Sequence, residues 1–294
     1  MEKEMKIKIA KELATEVSRK LKEKVSVTTV SKNNGVERIG LNLSFQKQHV
    51  CPIIYLDEYF KLIENRSITI QQITEEILDV FKKRMHSEET DMIDFILNKE
   101  YILRNIYYSV VNKERNQHLL QNCPHCEVLD LAVLFRCCIK NSSSRSSFLI
   151  YNNHMEIFGV SIKDLYDAAY KNTLKLFGCD IDNLSSLIKD MGGDIIDVSL
   201  KDDPIVVSNH DKMEGASLIM YSQIFENLSQ KLNADLYILP SSIHELIILK
   251  ADAAEANELK EIVHSVNMTL DKEDFLSDSI YRYDKDSGLI IIPS

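Results

Sequence analysis

"DLYILPSSIHELIILK", residues 235–250, is the stretch on which the fold turns. Leu236 and Ile238, then Ile243 through Leu249, are mostly apolar and rich in isoleucine, the composition of buried strands. Between them Pro240, Ser241 and Ser242 carry turn chemistry, because proline fixes φ and serine hydroxyls bond nearby backbone. The stretch therefore reads as a β-hairpin. The same residues raise a competing reading, a hydrolytic serine site, since Ser241, Ser242, His244 and Glu245 lie side by side. On a strand, Ser242 and His244 would share one face and Glu245 would take the other. A serine triad needs its histidine between nucleophile and acid, so these neighbours cannot form one alone. The zinc-protease motif fails too, because "HELII" has Ile248 where the second histidine belongs. No catalytic residue is assigned. Ser241, Ser242 and His244 are expected instead as ligand or partner contacts, since polar groups beside a buried strand must find partners.

Strands and helices alternate on both sides of this hairpin. Upstream, "LDLAVLFRCCIK" (129–140), "SFLIYNNHMEIFG" (147–159), "PIVVSN" (204–209) and "ASLIMY" (216–221) read as strands, with a Ser-rich turn after Lys140. "SIKDLYDAAYKNTLKLF" reads as a helix with Ser161 at its cap and Asp164 in the capping-box position. A short helix ends at Gly192-Gly193, another covers "SQIFENLSQKLNA", and an acidic one spans 251–266 before "IYRY" and "GLIII" close the chain. Toward the N-terminus, Ile9, Leu13, Val17 and Leu21 mark a helix over 4–22. "VSVTTV" and residues 36–45 follow as strands joined by Asn33-Asn34-Gly35, which supplies the positive φ of a tight turn. After Pro52 comes a short helix, then one capped by Ser67 or Thr69 with Ile70, Ile73, Ile77, Val80 and Phe81 on one face, then another over 89–99. The expected fold is α+β: an α-β-β-α-α unit over 1–115 and a mixed unit over 120–294, with antiparallel or mixed sheets flanked by helices.

Composition narrows function by exclusion. Only 8 glycines occur, and there is no G-x-G-x-x-G, Walker A loop or G-x-S-x-G, so a dinucleotide or P-loop enzyme is not expected. The net charge of −10 argues against a broad nucleic-acid surface. No apolar run approaches the roughly 20 residues that span a bilayer, and the charged N-terminus lacks the apolar core of a secretory signal. A cytoplasmic protein is expected, with no cofactor and no membrane contact.

"CPHC" (123–126) offers a metal or redox reading. Cys123, Cys126 and His125 would need further ligands, with His118 and one of Cys137 or Cys138 in reach; adjacent strand residues point to opposite faces, so both could not join. Reduced thiols are the plainer expectation in a cytosolic chain. Asn172 shares a helix face with Leu165, Ala169 and Leu176, where it either fixes the helix to a sheet or meets a ligand. Asn34 is a turn residue and a second candidate contact. His154 and His210 fall in expected turns.

Six pieces in chain order resemble an uncharacterised family of clostridial gut-bacterial proteins, classed as a domain of unknown function: "KNNGV" (32–36), "PIIYLDEYF" (52–60), "DLAVLFR" (130–136), the Ala169/Asn172 pair, "VVSN" followed by "GA" (206–216), and "LYILPSSIHELIIL" (236–249). A fainter likeness reaches a broader bacterial family, also of unknown function. The resemblance preserves Pro124 and His125 but not the two cysteines. It implies a bacterial host and brings no activity. The expected function is a protein-interaction or regulatory module without catalysis, its partner an unknown protein. The alternative is a small-ligand-binding or hydrolytic enzyme with its site near the Pro-Ser-Ser-Ile-His turn.

Overall fold

The structure, a computed structural model, describes residues 1–44, 53–85, 98–140, 145–190, 203–253 and 255–293. Pro52, most of the helix expected over 89–99, the start of the Ser-rich turn and the Gly192-Gly193 stop lie outside the described residues. The chain divides into two compact units, Met1–Asn98 and Lys99–Ser294.

In the first unit, α1 (Lys3–Leu21) buries Ala10, Leu13, Ala14 and Val17, the three- and four-residue spacing of one helical face. Lys22 stops it in the left-handed conformation, its N–H returning to the Ser18 carbonyl at 2.9 Å. β1 (Lys24–Ser31) and β2 (Glu37–Ser44) then pair antiparallel along their full length. Their connection is a 3-10 turn, Asn33–Gly35, with Asn34 at φ 56 and Gly35 at φ 70, so Asn34 is a turn residue. β3 (Ile53–Tyr55) adds to β2, followed by α2 (Asp57–Glu64) and α3 (Ile70–Met85). Thr69 caps α3: its N–H and hydroxyl donate to Gln72 Oε1, and Gln72 N–H returns to Thr69 Oγ1. Leu13, Val17, Leu41, Leu43, Ile73, Ile77 and Phe81 share one core.

The second unit opens with α4 (Lys99–Asn105), which runs straight into β4 (Ile106–Asn112), a strand buried at every position. Residues 99–115, grouped with the first unit by patterning, thus contribute a strand here. β4 pairs with β6 (Leu131–Lys140), whose other edge takes β5 (His125–Val128) and β7 (Arg145–Leu149) end to end. Along β6, Leu131, Val133, Phe135 and Cys137 enter the main core, while Ala132, Leu134, Arg136 and Cys138 face the opposite way.

α5 (Asn152–Phe158) replaces the second half of the strand expected over 147–159. Tyr151 N–H donates to His154 Nδ1 at the helix start, and the His154 ring packs against Phe148 and Phe158. His154 is therefore a helix residue, its pKa lowered by burial, and not an exposed turn histidine. α6 (Ile162–Phe177) carries the expected Ser161/Asp164 capping box and covers β4 with Leu165, Ala169 and Thr173. β8 (Asp180–Asn183), α7 (Leu184–Asp190) and β9 (Ile205–Ser208) follow.

"GASLIM" (215–220) is a 3-10 segment, mostly buried, not a strand; a short, largely apolar run has no periodicity to separate the two. After α8 (Ser222–Leu232) comes the decisive hairpin, β10 (Leu236–Leu239) and β11 (Leu246–Lys250), paired Leu236↔Lys250 to Leu239↔Ile247. After α9 (Ala256–Asn267), β12 (Tyr281–Tyr283) and β13 (Ile290–Ile291) complete a six-stranded antiparallel sheet ordered β13-β12-β10-β11-β9-β8. The fold is α+β, with three antiparallel sheets among the described residues.

Candidate functional site

The connection between β10 and β11 is longer than the sequence implied. Pro240 to Glu245 lie outside both strands, so Ser242 and His244 occupy a loop and do not share a strand face. Two other segments grip this loop. On one side Ser241 O accepts from Leu276 N–H, Pro240 O from Ser277 N–H, and Ile243 N–H donates to Asp274 O at 2.8 Å. On the other, Ala216 N–H donates to Ile243 O, and Ser208 Oγ donates to His244 O at 2.7 Å. Gly215 lies against the same carbonyl so closely that a Cβ there would sit 2.4 Å from His244 O.

These contacts assign the side chains. Ser242 Oγ accepts the His244 N–H at 3.0 Å, and burial raises the pKa of the neighbouring Glu245 carboxyl against the pull of His244 and Ser242. The His244 ring turns away from Ser242. Its Nδ1 accepts from Glu214 N–H at 3.3 Å, which leaves the ring proton on Nε2, 3.1 Å from Asp274 Oδ1. Ser242 and His244 thus meet through backbone and not as a nucleophile with its base. Ser241 is buried in the same loop.

Glu214 carries the network onward. Its Oε2 accepts from Tyr107 OH at 3.0 Å, its Oε1 accepts from Ser109 Oγ at 3.2 Å, and Arg136 Nε lies 3.6 Å from Oε1. Arg136 also donates through Nε and Nη2 to Ser147 Oγ. Burial works against this guanidinium, yet Glu214 and Tyr107 outweigh it and hold its pKa up. Burial, then the Glu214 charge, pushes the Tyr107 phenol well above its ordinary range. Arg136, Glu214 and Asp274 were not picked out from sequence. Arg136 alone left a sign, a single charge inside the apolar run "LAVLFRCCI".

The remaining candidates stand elsewhere. Asn172 Nδ2 donates to Leu103 O and Ile106 O, tying α6 to the α4–β4 junction, and does not reach the 240–245 loop. Asn34 belongs to the first unit. Cys123 packs with Leu120, Ala132 and Leu134, while Cys126, paired with Val133, packs on the main core across the sheet. The two thiols therefore face opposite sides, and His125 Nδ1 bonds Cys123 O. Among the described residues, no group of three or more His, Cys, Asp or Glu is placed to hold a metal.

Burial pushes the Cys123 thiol up to about 11 and Cys137 to about 12. At pH 8 both are accordingly protonated and unreactive. Mass-spectrometric mapping after iodoacetamide treatment should find them unmodified in the folded protein and modified in denaturant. Labelling of folded Cys123 at the denatured rate would mean that the thiol is exposed.

No helix among the described residues is long and apolar enough to cross a membrane. The chain belongs to a family of unknown function, DUF5688, whose model matches residues 3–285. No curated protein and no solved structure matches it.

Proposed function

We propose that the protein is a non-catalytic interaction or regulatory module of the bacterial cytoplasm, acting on a protein partner. The observation that carries this reading is an apolar ridge on α6. Ile162, Tyr166, Tyr170 and Leu174 recur every four residues along it; Ile162 is 41% exposed, Tyr170 46% and Leu174 36%. The tyrosines are held in place. Tyr170 stacks on Tyr221 at 4.9 Å, Tyr221 OH donates to Tyr170 O, and Tyr108 OH donates to Tyr166 O. Rigid aromatic side chains lose little entropy on docking, and they dominate binding where they are buried in an interface. The polar loop at 240–245 supports the same reading, since its serine and histidine are engaged in joining three segments.

A photo-crosslinking amino acid at position 170, with position 260 on α9 as control, tests this in cells of the native type. Discrete adducts are expected from 170 alone. Unlabelled wild-type protein should compete them away, and a Tyr166→Ser/Tyr170→Ser/Leu174→Ser variant should not. Equal adducts at both positions, or none at either, would remove the ridge as the basis for this function.

A further inference from the structure

We propose that the Arg136 face of the four-stranded sheet is a binding site for a small carboxylate, filled in this structure by Glu214 as an internal ligand. This site is independent of the α6 ridge and would supply the module with a small-molecule input.

The donors and the acceptor differ in how they are held. Tyr107 and Arg136 are register partners on β4 and β6, Ser109 lies two residues along the same face, and Ser147 sits on β7 opposite Cys138. Their positions are set by the sheet ladders. The two carboxylate oxygens are served separately: Tyr107 donates to one and Ser109 to the other, with the Arg136 charge 3.6 Å from the latter and its guanidinium held by Ser147. Such a set recognises a planar two-oxygen acceptor.

The carboxylate they hold comes from a loop. Residues 209–214 turn with Lys212 at φ 53 and Glu214 at φ 56, a left-handed conformation that side-chain-bearing residues rarely adopt. The loop is anchored through its backbone: Asn209 Nδ2 donates to Met213 O at 2.7 Å, Met213 N–H returns to Asn209 Oδ1, and Glu214 N–H reaches His244. Only the Glu214 side chain must therefore leave for a ligand to enter. Glu214 and Arg136 reach the surface, 25% and 29% exposed, while Tyr107 and Ser109 lie buried beneath them, so a ligand would enter along the path the Glu214 side chain vacates. The Arg136–Glu214 approach of 3.6 Å is also longer than a hydrogen bond. One guanidinium balances one negative charge, so a monocarboxylate suits the face better than a doubly charged phosphate beside the displaced Glu214.

Calorimetric titration of the full chain with acetate, against chloride at equal ionic strength and against phosphate, tests the proposal. Saturable acetate binding is expected in the wild type. Removing the internal competitor with Glu214→Ala should tighten it about tenfold, the factor for a site open one-tenth of the time. Arg136→Met should abolish it. Hydrogen exchange in the wild type, which needs no variant to fold, should change at residues 213–216 on adding acetate and stay constant along β6. Tyr107→Phe supplies a milder substitution and should weaken binding. Acetate binding to Glu214→Ala but not to the wild type would reduce this to an adventitious ion only, filling a broken ion pair. Equal affinity in both proteins would refute competition by Glu214, and tighter binding of phosphate would refute the carboxylate assignment.

Discussion

Gly215→Ala is expected to destabilise the second unit by about 3 kcal/mol, through overpacking at a point where backbone meets backbone. A Cβ at Gly215 would stand 2.4 Å from His244 O, 2.4 Å from Ser208 Oγ and 2.9 Å from Asn209 N. Real Cβ contacts of that length do not occur, so something must move. The Ser208 hydroxyl could rotate, but only by giving up its 2.7 Å bond to the His244 carbonyl. The carbonyl and the Asn209 amide are main chain, and moving them pulls on Ala216 N–H to Ile243 O, the tie between the 3-10 segment and the hairpin loop.

The effect should appear in thermal unfolding as a drop of roughly 6–12 °C. Gly159 is the control for conformation without contact: it has φ 61 and nothing within reach of a Cβ, so Gly159→Ala should cost only about 1 kcal/mol. Adding Ser208→Ala to Gly215→Ala relieves one of the three clashes and should recover part of the loss. A Gly215→Ala protein within 0.5 kcal/mol of wild type would instead show that the loops at this junction slide apart easily.

The hairpin that meets this junction was legible from sequence because isoleucine-rich strands flanked a Pro-Ser-Ser turn. Its inner edge was not. Ile243 is apolar enough to continue a strand, yet Asp274 takes its N–H and Ala216 its carbonyl, so it bonds outside the hairpin ladder. β4 passed unread for a different reason. "IYYSVVN" is buried at every position, and a strand covered on both faces has no alternation to betray it. The site divides the same way. Ser242 and His244 stand out as polar residues in an apolar stretch, whereas their partners Glu214 and Asp274 come from loops whose approach is set by tertiary packing. The left-handed backbone of Glu214 has no signature either, because the residue is not glycine, asparagine or aspartate. The capping box of α6 and the Asn-Asn-Gly turn are local chemistry, and both were readable.

The largest single loss should come from Asp130→Ala, at about 4 kcal/mol. Asp130 lies in the turn between β5 and β6, and its carboxylate accepts three hydroxyls from one distant segment. Ser277 Oγ donates at 2.6 Å and Ser279 Oγ at 2.9 Å to Oδ2, and Tyr281 OH donates to Oδ1. Ser277 and Tyr281 are wholly buried, so removing the acceptor leaves hydroxyls with no water to replace it. Each hydrogen bond to a charged group is worth about 1.5–3 kcal/mol, and the three share one acceptor, so the sum falls short of additive. Asp130→Asn keeps the shape and one acceptor oxygen and should lose about half as much.

The pH dependence adds an independent check. Burial first, and the Asp130 charge second, push the Tyr281 phenol far above its ordinary range. Above pH 10 the unfolded chain therefore releases a proton that the folded chain keeps, and stability falls as pH rises. Because burial is the larger cause, Asp130→Ala should keep this alkaline loss while starting from a lower melting temperature. The decisive measurement is a double-mutant cycle with Tyr281→Phe. Removing the donor first should shrink the cost of Asp130→Ala by roughly 1.5 kcal/mol. If the cost is unchanged, or if Asp130→Ala alone stays within 1 kcal/mol of wild type, the carboxylate does not hold the 277–281 segment to the β5–β6 turn.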